Sequence, residues 1–151
     1  MIMLSYSDVT GSYSIDDVAS AKKFYGETLG IDVTDNPLGG VDLHLKGGGK
    51  YFLYEKSNHV PASFTVMHFT VDDLDKTVDD LNGSGVTTKI YGDDELPDMP
   101  NDSKGVWRSE NGVAMMAWLK DPAGNVIGLI NGSADAQREM EAAERRAQSP
   151  Q

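Results

Sequence analysis

Residues 14–18 read Ser-Ile-Asp-Asp-Val, and the same pattern returns as Thr-Val-Asp-Asp-Leu at residues 70–74. In each copy an apolar run leads into two acidic residues, and an amphipathic stretch with a Gly-containing end follows. Aspartate at such a junction accepts hydrogen bonds from the free amides of a helix, so each copy predicts a strand followed by a capped helix. Self-similarity of this kind indicates a duplicated architecture.

The elements predicted around the two copies correspond to one another. The first copy predicts a strand over Ile2–Ile15 with an irregular start, and then a helix that Asp16 or Asp17 caps and Gly30 ends. Hydrophobic runs typical of strands come after each helix. The matching second-copy elements are a strand over Phe64–Val71, a cap at Asp72 or Asp73, and stops at Gly83 and Gly85. The later strand-like runs cover residues 40–45, 51–55, 112–119 and 126–130.

Composition excludes several classes of function. The chain has 151 residues, no cysteine and a net charge of −11. Thiolate chemistry and disulfides are therefore excluded, and binding to nucleic acid or to anionic membranes is disfavoured. The longest apolar stretch, residues 113–119, is far too short to span a bilayer. No basic leader follows Met1, so we expect a cytoplasmic protein.

The chain resembles the vicinal oxygen chelate superfamily in the order and duplication of these motifs. It also resembles it in the Phe24-Tyr25 pair before Leu29-Gly30 and in the run Trp-Leu-Lys-Asp-Pro-Ala-Gly-Asn at 118–125. That superfamily holds glyoxalase I, bleomycin-resistance proteins, fosfomycin-resistance enzymes and extradiol dioxygenases. The resemblance implies an α+β fold in which two βαβββ modules form a curved mixed sheet around a cavity. It also implies a homodimer.

The resemblance covers nearly the whole chain. We expect a single glyoxalase-like domain over residues 1–132, with modules at about 5–57 and 62–131. A helical or frayed C-terminal tail is expected at 133–151. The insertion at 91–109 is rich in Asp, Pro and Gly, and such a segment is either a lid or a flexible loop.

In metal-using members of the superfamily, the ligands are His, Gln or Glu on the first and last strand of each module. The resemblance places Thr10 and Val66 at the two first-strand positions. At the last-strand positions it places Gly128 in the second module, and Leu53 is the best match in the first. None of these side chains is a usual ligand of a divalent cation. We therefore expect no bound metal and no other cofactor.

His68 is the only candidate for a catalytic residue. Side chains two apart on a strand share a face, and the resemblance turns the face of His68 toward the cavity. We interpret His59 as a solvated loop residue and His44 as a surface or core-edge residue. No acidic residue is placed by the sequence to orient His68 in a triad.

The second half supplies large apolar side chains. Trp107, Met115, Met116 and Trp118 would suit a planar or hydrophobic small molecule, although ordinary core packing is the favoured interpretation of either methionine taken alone. Strand alternation turns only one of the two methionines inward. The ligand-binding residues that we predict are Thr10, Ser12, His68, Met116 and Trp118.

The function predicted from these features is binding of a small organic molecule, with an aromatic one as a candidate, by a metal-independent protein of the glyoxalase/bleomycin-resistance kind. One alternative is a metal-independent lyase or isomerase that uses His68 as its base. Another is a subunit that has lost its ligand and serves protein association.

Overall fold

The computed structural model describes residues 3–132 and 134–148. Its elements are eight strands and three α-helices, the first of which continues as a π-helix. In chain order they are β1 Gly11–Ile15, α1 Val18–Ala21, the π-helix Lys22–Thr28, β2 Asp32–Asn36, β3 Gly40–His44, β4 Lys50–Glu55, β5 Thr65–Val71, α2 Leu74–Gly83, β6 Trp107–Arg108, β7 Met115–Lys120, β8 Val126–Asn131 and α3 Ala134–Gln148.

The eight strands form two sheets of identical topology. The first has the order β1-β4-β3-β2 and the second β5-β8-β7-β6. In each sheet the first strand is parallel to the last strand of its module, and the other pairs are antiparallel. The α+β class and the paired βαβββ modules inferred from the sequence are therefore confirmed.

The chain divides into two compact units that follow the duplication. The first comprises Met1–Pro61 with Asp121–Gly124, and the second comprises Ala62–Lys120 with Asn125–Gln151. The short segment Asp121–Gly124 belongs to the first unit, where the Asp121 side chain and the Ala123 carbonyl both accept hydrogen bonds.

Both helix starts are capped as the repeated pattern predicts. Asp17 Oδ1 accepts from the amide of Ser20 at 3.1 Å, and Asp73 Oδ1 accepts from the amide of Lys76 at 3.0 Å. The first helix then departs from the prediction, because the amide of Leu29 donates to the carbonyl of Phe24, five residues earlier. This spacing is that of a π-helix.

Each helix buries apolar side chains on one side of its sheet. Leu74 and Val78 of α2 are fully buried, and α2 packs against β7 and β8. The sheet residues buried on that side are Met67, Ala117, Leu119, Ile127 and Leu129. We call the opposite side of each sheet its open face.

The predicted strand over Ile2–Ile15 is too long. Only Gly11–Ile15 is a strand, and the described residues before it are exposed and lack regular structure. The reason is that Gly11 is opposite Tyr51, the second residue of β4, so only Lys50 is left to pair with the earlier segment. Ile2 lies outside the described residues.

Two short strands have no strong sequence signal. Strand β2 contains two aspartates and an asparagine, which are poor strand formers, and β6 has two residues. Both are edge strands that are held by pairing to one neighbour. Tertiary pairing therefore overrides local propensity at these positions.

The C-terminal part of the insertion at 91–109 is held to α2 by ion pairs. Arg108 Nη2 lies 2.7 Å from Asp75 Oδ1, and Lys104 forms an ion pair with Asp79. Thr88 Oγ1 donates to the carbonyl of Lys104 at 2.6 Å. The segment ends in β6 and is thus partly integrated into the second sheet.

The described part of the C-terminal tail is the helix Ala134–Gln148, and residues 133 and 149–151 lie outside the described ranges. No helix in residues 3–132 or 134–148 has the length and apolar character that crossing a membrane requires.

Candidate functional site

The open face of the second sheet brings together three of the predicted ligand-binding residues. In the register, His68 is opposite Gly128 on one side, and Gly128 is opposite Trp118 on the other. Residues directly opposite one another point to the same face, so His68 and Trp118 share the open face. Met116 is two residues from Trp118 and lies on the same face, whereas Met115 lies on the other.

His68 occupies the space that a side chain at residue 128 would fill. A Cβ built on Gly128 would lie 2.5 Å from His68 Cδ2 and 2.9 Å from His68 Nε2. Because real Cβ atoms do not approach other atoms so closely, glycine at this position permits the observed ring placement. The imidazole is exposed and therefore accessible from the open face.

Trp118 is covered by an aromatic residue that no sequence pattern indicated. The rings of Tyr91 and Trp118 have centroids 5.7 Å apart and an angle of 78° between their planes, an edge-to-face contact. Burial, and then the charge of Glu95, raises the pKa of Tyr91. Tyr91 begins the irregular insertion, where no periodicity indicates its direction.

Accessibility varies across this face. Trp118 is only 5% exposed, whereas Met116 and Trp107 are half-buried. His68 and Thr70 are exposed. The face therefore combines an apolar floor with accessible polar groups along β5, which is the composition of a small-molecule site.

Thr10 and Ser12 belong to the first unit. Ser12 is in β1, is exposed and lies on the open face of the first sheet, because its neighbour Tyr13 is buried on the helix side. Thr10 precedes β1 and is exposed. Both hydroxyls are accessible, and their assignment to a ligand remains a prediction.

The register corrects one of the four positions compared with metal ligands. Phe52 is opposite Ser12 in the first sheet, just as Gly128 is opposite His68 in the second. Leu53 instead pairs with Tyr13 and is fully buried on the helix side. The counterpart of Gly128 is therefore Phe52, because a shift of one residue reverses the face.

The corrected positions still do not fit a metal ion. Thr10, Phe52, Val66 and Gly128 together contribute one hydroxyl, which is not the donor set of a divalent cation. Over the side chains that the structure describes, no group of three or more His, Asp or Glu residues is placed to hold a metal.

The other two histidines are hydrogen-bonded. His44 is exposed and its Nε2 lies 2.7 Å from Thr34 Oγ1 across β2 and β3, in agreement with a surface role. The interpretation of His59 as a solvated residue is wrong. Its Nδ1 is 2.7 Å from Ser14 Oγ, and its Nε2 is 2.9 Å from the carbonyl of Ala123.

A buried chain of hydrogen bonds crosses the helix side of the first unit. Tyr13 donates its hydroxyl to Tyr25 at 2.8 Å, and Tyr25 donates to Asp121 Oδ2 at 2.7 Å. Burial raises the pKa of both tyrosines well above the ordinary value of 10.0. The two tyrosine hydroxyls are bonded on the helix side of the first sheet, away from its open face, so their role is structural.

A groove of about 470 Å³ lies beside the π-helix and β2. Charges of both signs line it, from Lys22, Lys23, Glu27 and Asp32, and Lys22 also pairs with Asp35 at 3.0 Å. It is shallow and lacks the convergent polar and aromatic groups of the second sheet's open face.

Residues 9–129 match the family described as the Glyoxalase/Bleomycin resistance protein/Dioxygenase superfamily. Among curated proteins, no sequence matches the chain at a significant level. Several solved structures share the fold of this chain.

A superfamily member from Sphaerobacter thermophilus is 23% identical, with a TM-score of 0.60 over 86% of this chain and 99% of its own. A bleomycin-binding protein in complex with bleomycin is 22% identical, with a TM-score of 0.59 over 85% and 100%. The fosfomycin resistance protein FosX from Listeria monocytogenes is 11% identical, with a TM-score of 0.63 over 89% and 99%. At these identities the structures establish likeness of fold. The family match over residues 9–129 shows that this chain belongs to the glyoxalase/bleomycin resistance protein/dioxygenase superfamily.

Proposed function

We propose that the protein binds a small organic molecule with a planar aromatic group on the open face of its second sheet, without a metal ion and without turnover. The observation that carries this proposal is the row His68–Gly128–Trp118. It sets an accessible imidazole beside an indole, with Tyr91 against that indole. Aromatic rings prefer offset or edge contacts with other rings, so these residues suit a flat ligand.

The fold relative that is complexed with bleomycin supplies a first probe. The chain contains two tryptophans, and Trp107 and Trp118 both lie on the proposed binding face. Their fluorescence therefore reports directly on occupancy of that face. We expect bleomycin, or a planar probe such as 2-naphthoate, to change this fluorescence and to raise the melting temperature, because a ligand that binds only the folded state stabilises it.

Two adjacent methionines provide a matched control. Met116 lies on the proposed face and Met115 on the opposite one. Met116→Ala should weaken 2-naphthoate binding several-fold, whereas Met115→Ala should leave it unchanged. Decahydro-2-naphthoate, which is similar in size but not planar, should bind more weakly than 2-naphthoate. Equal effects of the two substitutions would exclude this face as the binding site.

The enzymatic alternative depends on His68 as a general base. Among the described residues His68 has no hydrogen-bond partner to orient its ring, whereas efficient general bases are held in position. Binding without turnover predicts that His68→Gln retains most of the affinity for the probe. A reaction whose rate is abolished by this substitution would instead establish the lyase or isomerase.

We also propose a homodimer. Four apolar side chains before β1, Met3, Leu4, Tyr6 and Val9, are 70% to 83% exposed, which favours burial against a second copy. Light scattering after size-exclusion chromatography should give twice the mass of the chain. Leu4→Asp with Tyr6→Asp should shift it toward the monomer, and a monomeric native protein would contradict the proposal. A cytoplasmic location remains a prediction from the composition.

A further inference from the structure

Ser14 and His59 form a pair that the proposed binding face does not use. Ser14 Oγ lies 2.7 Å from His59 Nδ1, and His59 Nε2 lies 2.9 Å from the carbonyl oxygen of Ala123. All three residues belong to the first unit. Ser14 and His59 are half-buried, and Ala123 is buried.

The Ala123 carbonyl determines which ring nitrogen of a neutral His59 carries the hydrogen. A carbonyl oxygen only accepts hydrogen bonds, so Nε2 must carry the hydrogen that it donates to Ala123. Nδ1 then has a free lone pair, and the hydroxyl of Ser14 donates to it. A hydroxyl, a base and a group that orients the base are the three parts of an activated nucleophile.

Ser14 is also positioned for access. It is in β1, and its side chain lies on the open face of the first sheet, because Tyr13 and Ile15 on either side of it are buried on the helix side. Ser12 lies on the same face two residues earlier and has no histidine partner among the described residues. The two serines are therefore a natural comparison.

We propose that Ser14 is a nucleophile toward activated esters, with His59 as its general base and the Ala123 carbonyl as the group that orients His59. Ser14 Oγ attacks the acyl carbon while its proton passes to His59 Nδ1. The bond to the leaving phenolate then breaks, the phenolate takes that proton, and an acyl-serine remains.

The test is acetylation by p-nitrophenyl acetate, followed by mass mapping of the modified peptides. Mapping separates Ser14 from the lysines, which also react with this ester. We expect acetyl-Ser14 in the native protein and no acetylation at Ser12. His59→Gln should slow acetylation of Ser14 by about a hundredfold, which is the usual scale of general-base catalysis.

A second experiment does not depend on the folding of a His59 variant. The chain has no cysteine, so Ser14→Cys and Ser12→Cys each introduce a single thiol. The thiolate is the reactive form, and a neighbouring imidazole promotes it. Cys in place of Ser14 should react with iodoacetamide at least about ten times faster than Cys in place of Ser12.

Equal reactivity at residues 12 and 14 in both experiments would overturn the proposal, even if His59→Gln lowers the melting temperature. That combination would mean that His59 only stabilises the fold by linking Ser14 of β1 to Ala123. The outcome is distinguishable from the probe binding proposed for the second sheet, because modification is measured at residues 12 and 14 of the first unit.

Discussion

Gly128 and His68 share a space that holds only one side chain. Their register makes them direct neighbours, and a methyl group at residue 128 would lie 2.5 Å from His68 Cδ2 if the ring stayed in place. A second atom of that ring lies at 2.9 Å, so the exposed ring would have to rotate away from its observed position. The orientation of His68 on the binding face therefore depends on a glycine in the neighbouring strand.

We predict that Gly128→Ala lowers the free energy of unfolding by about 1 kcal/mol or less, because the exposed His68 ring can rotate away at a small rotamer cost. It should also weaken probe binding by displacing His68. Urea unfolding of Gly128→Ala, His68→Ala and the double variant measures the coupling of the two positions. The double variant should be more stable than the sum of the two single effects predicts. Strict additivity would contradict the proposed overlap.

At the scale of elements, the two aspartates before α2 have different roles although they are adjacent and both exposed. Asp73 accepts from the amide of Lys76 at 3.0 Å, whereas Asp72 makes no such bond among the described residues. A second contact supports the same helix start, because Asn131 Oδ1 accepts from the amide of Leu74 at 3.3 Å. The repeated Asp-Asp pair thus contains one capping residue in each copy.

Asp73→Ala should lower the free energy of unfolding by about 1 kcal/mol, the typical value of an N-cap. Asp72→Ala is the matched control, since it removes the same charge next to the same helix without removing the cap. We expect it to change stability by less than about 0.5 kcal/mol. Chemical unfolding followed by circular dichroism distinguishes the two, and equal losses would assign the effect to charge alone.

At the scale of the whole molecule, each compact unit repeats one topology but stabilises its interior differently. The helix side of the second sheet is closed by apolar packing around Leu74 and Val78. The first unit instead contains the Tyr13–Tyr25–Asp121 hydrogen-bond chain, in which Tyr25 is fully buried. Buried polar groups are costly when a partner is lost, so this chain is a point of sensitivity for the first unit.

Tyr25→Phe should destabilise the protein by about 1–3 kcal/mol at neutral pH, because it leaves the buried Asp121 side chain without this donor. Tyr13→Phe removes only the outer bond and should cost about 1 kcal/mol. Urea unfolding of both variants beside the native protein gives these differences. A larger loss of unfolding free energy with Tyr13→Phe than with Tyr25→Phe would contradict the donor order from Tyr13 to Tyr25 to Asp121.

The same tyrosines predict a loss of stability at alkaline pH. Burial raises the pKa of each above its unfolded value of 10.0, so the folded protein keeps protons that the unfolded chain releases. Their contribution is fully present below about pH 10 and declines as the pH rises further. Unfolding free energies measured between pH 8 and about pH 11 should fall less steeply for Tyr25→Phe than for the exposed control Tyr54→Phe.

Local patterns in the sequence were sufficient for the duplicated strand and helix, the aspartate caps and the apolar side of each helix, because these features depend on neighbours within a few residues. Strand alternation also put Met116 and Trp118 on one face, and the family resemblance turned His68 toward the cavity. The sheet register then placed all three side chains on the same face. Only the tertiary structure decided that Tyr91 lies on Trp118, that His68 fills the space above Gly128, and that His59 joins Ser14 to Ala123. Each of these contacts joins segments that are far apart in the chain, and no local spacing encodes which distant backbone or ring will be adjacent.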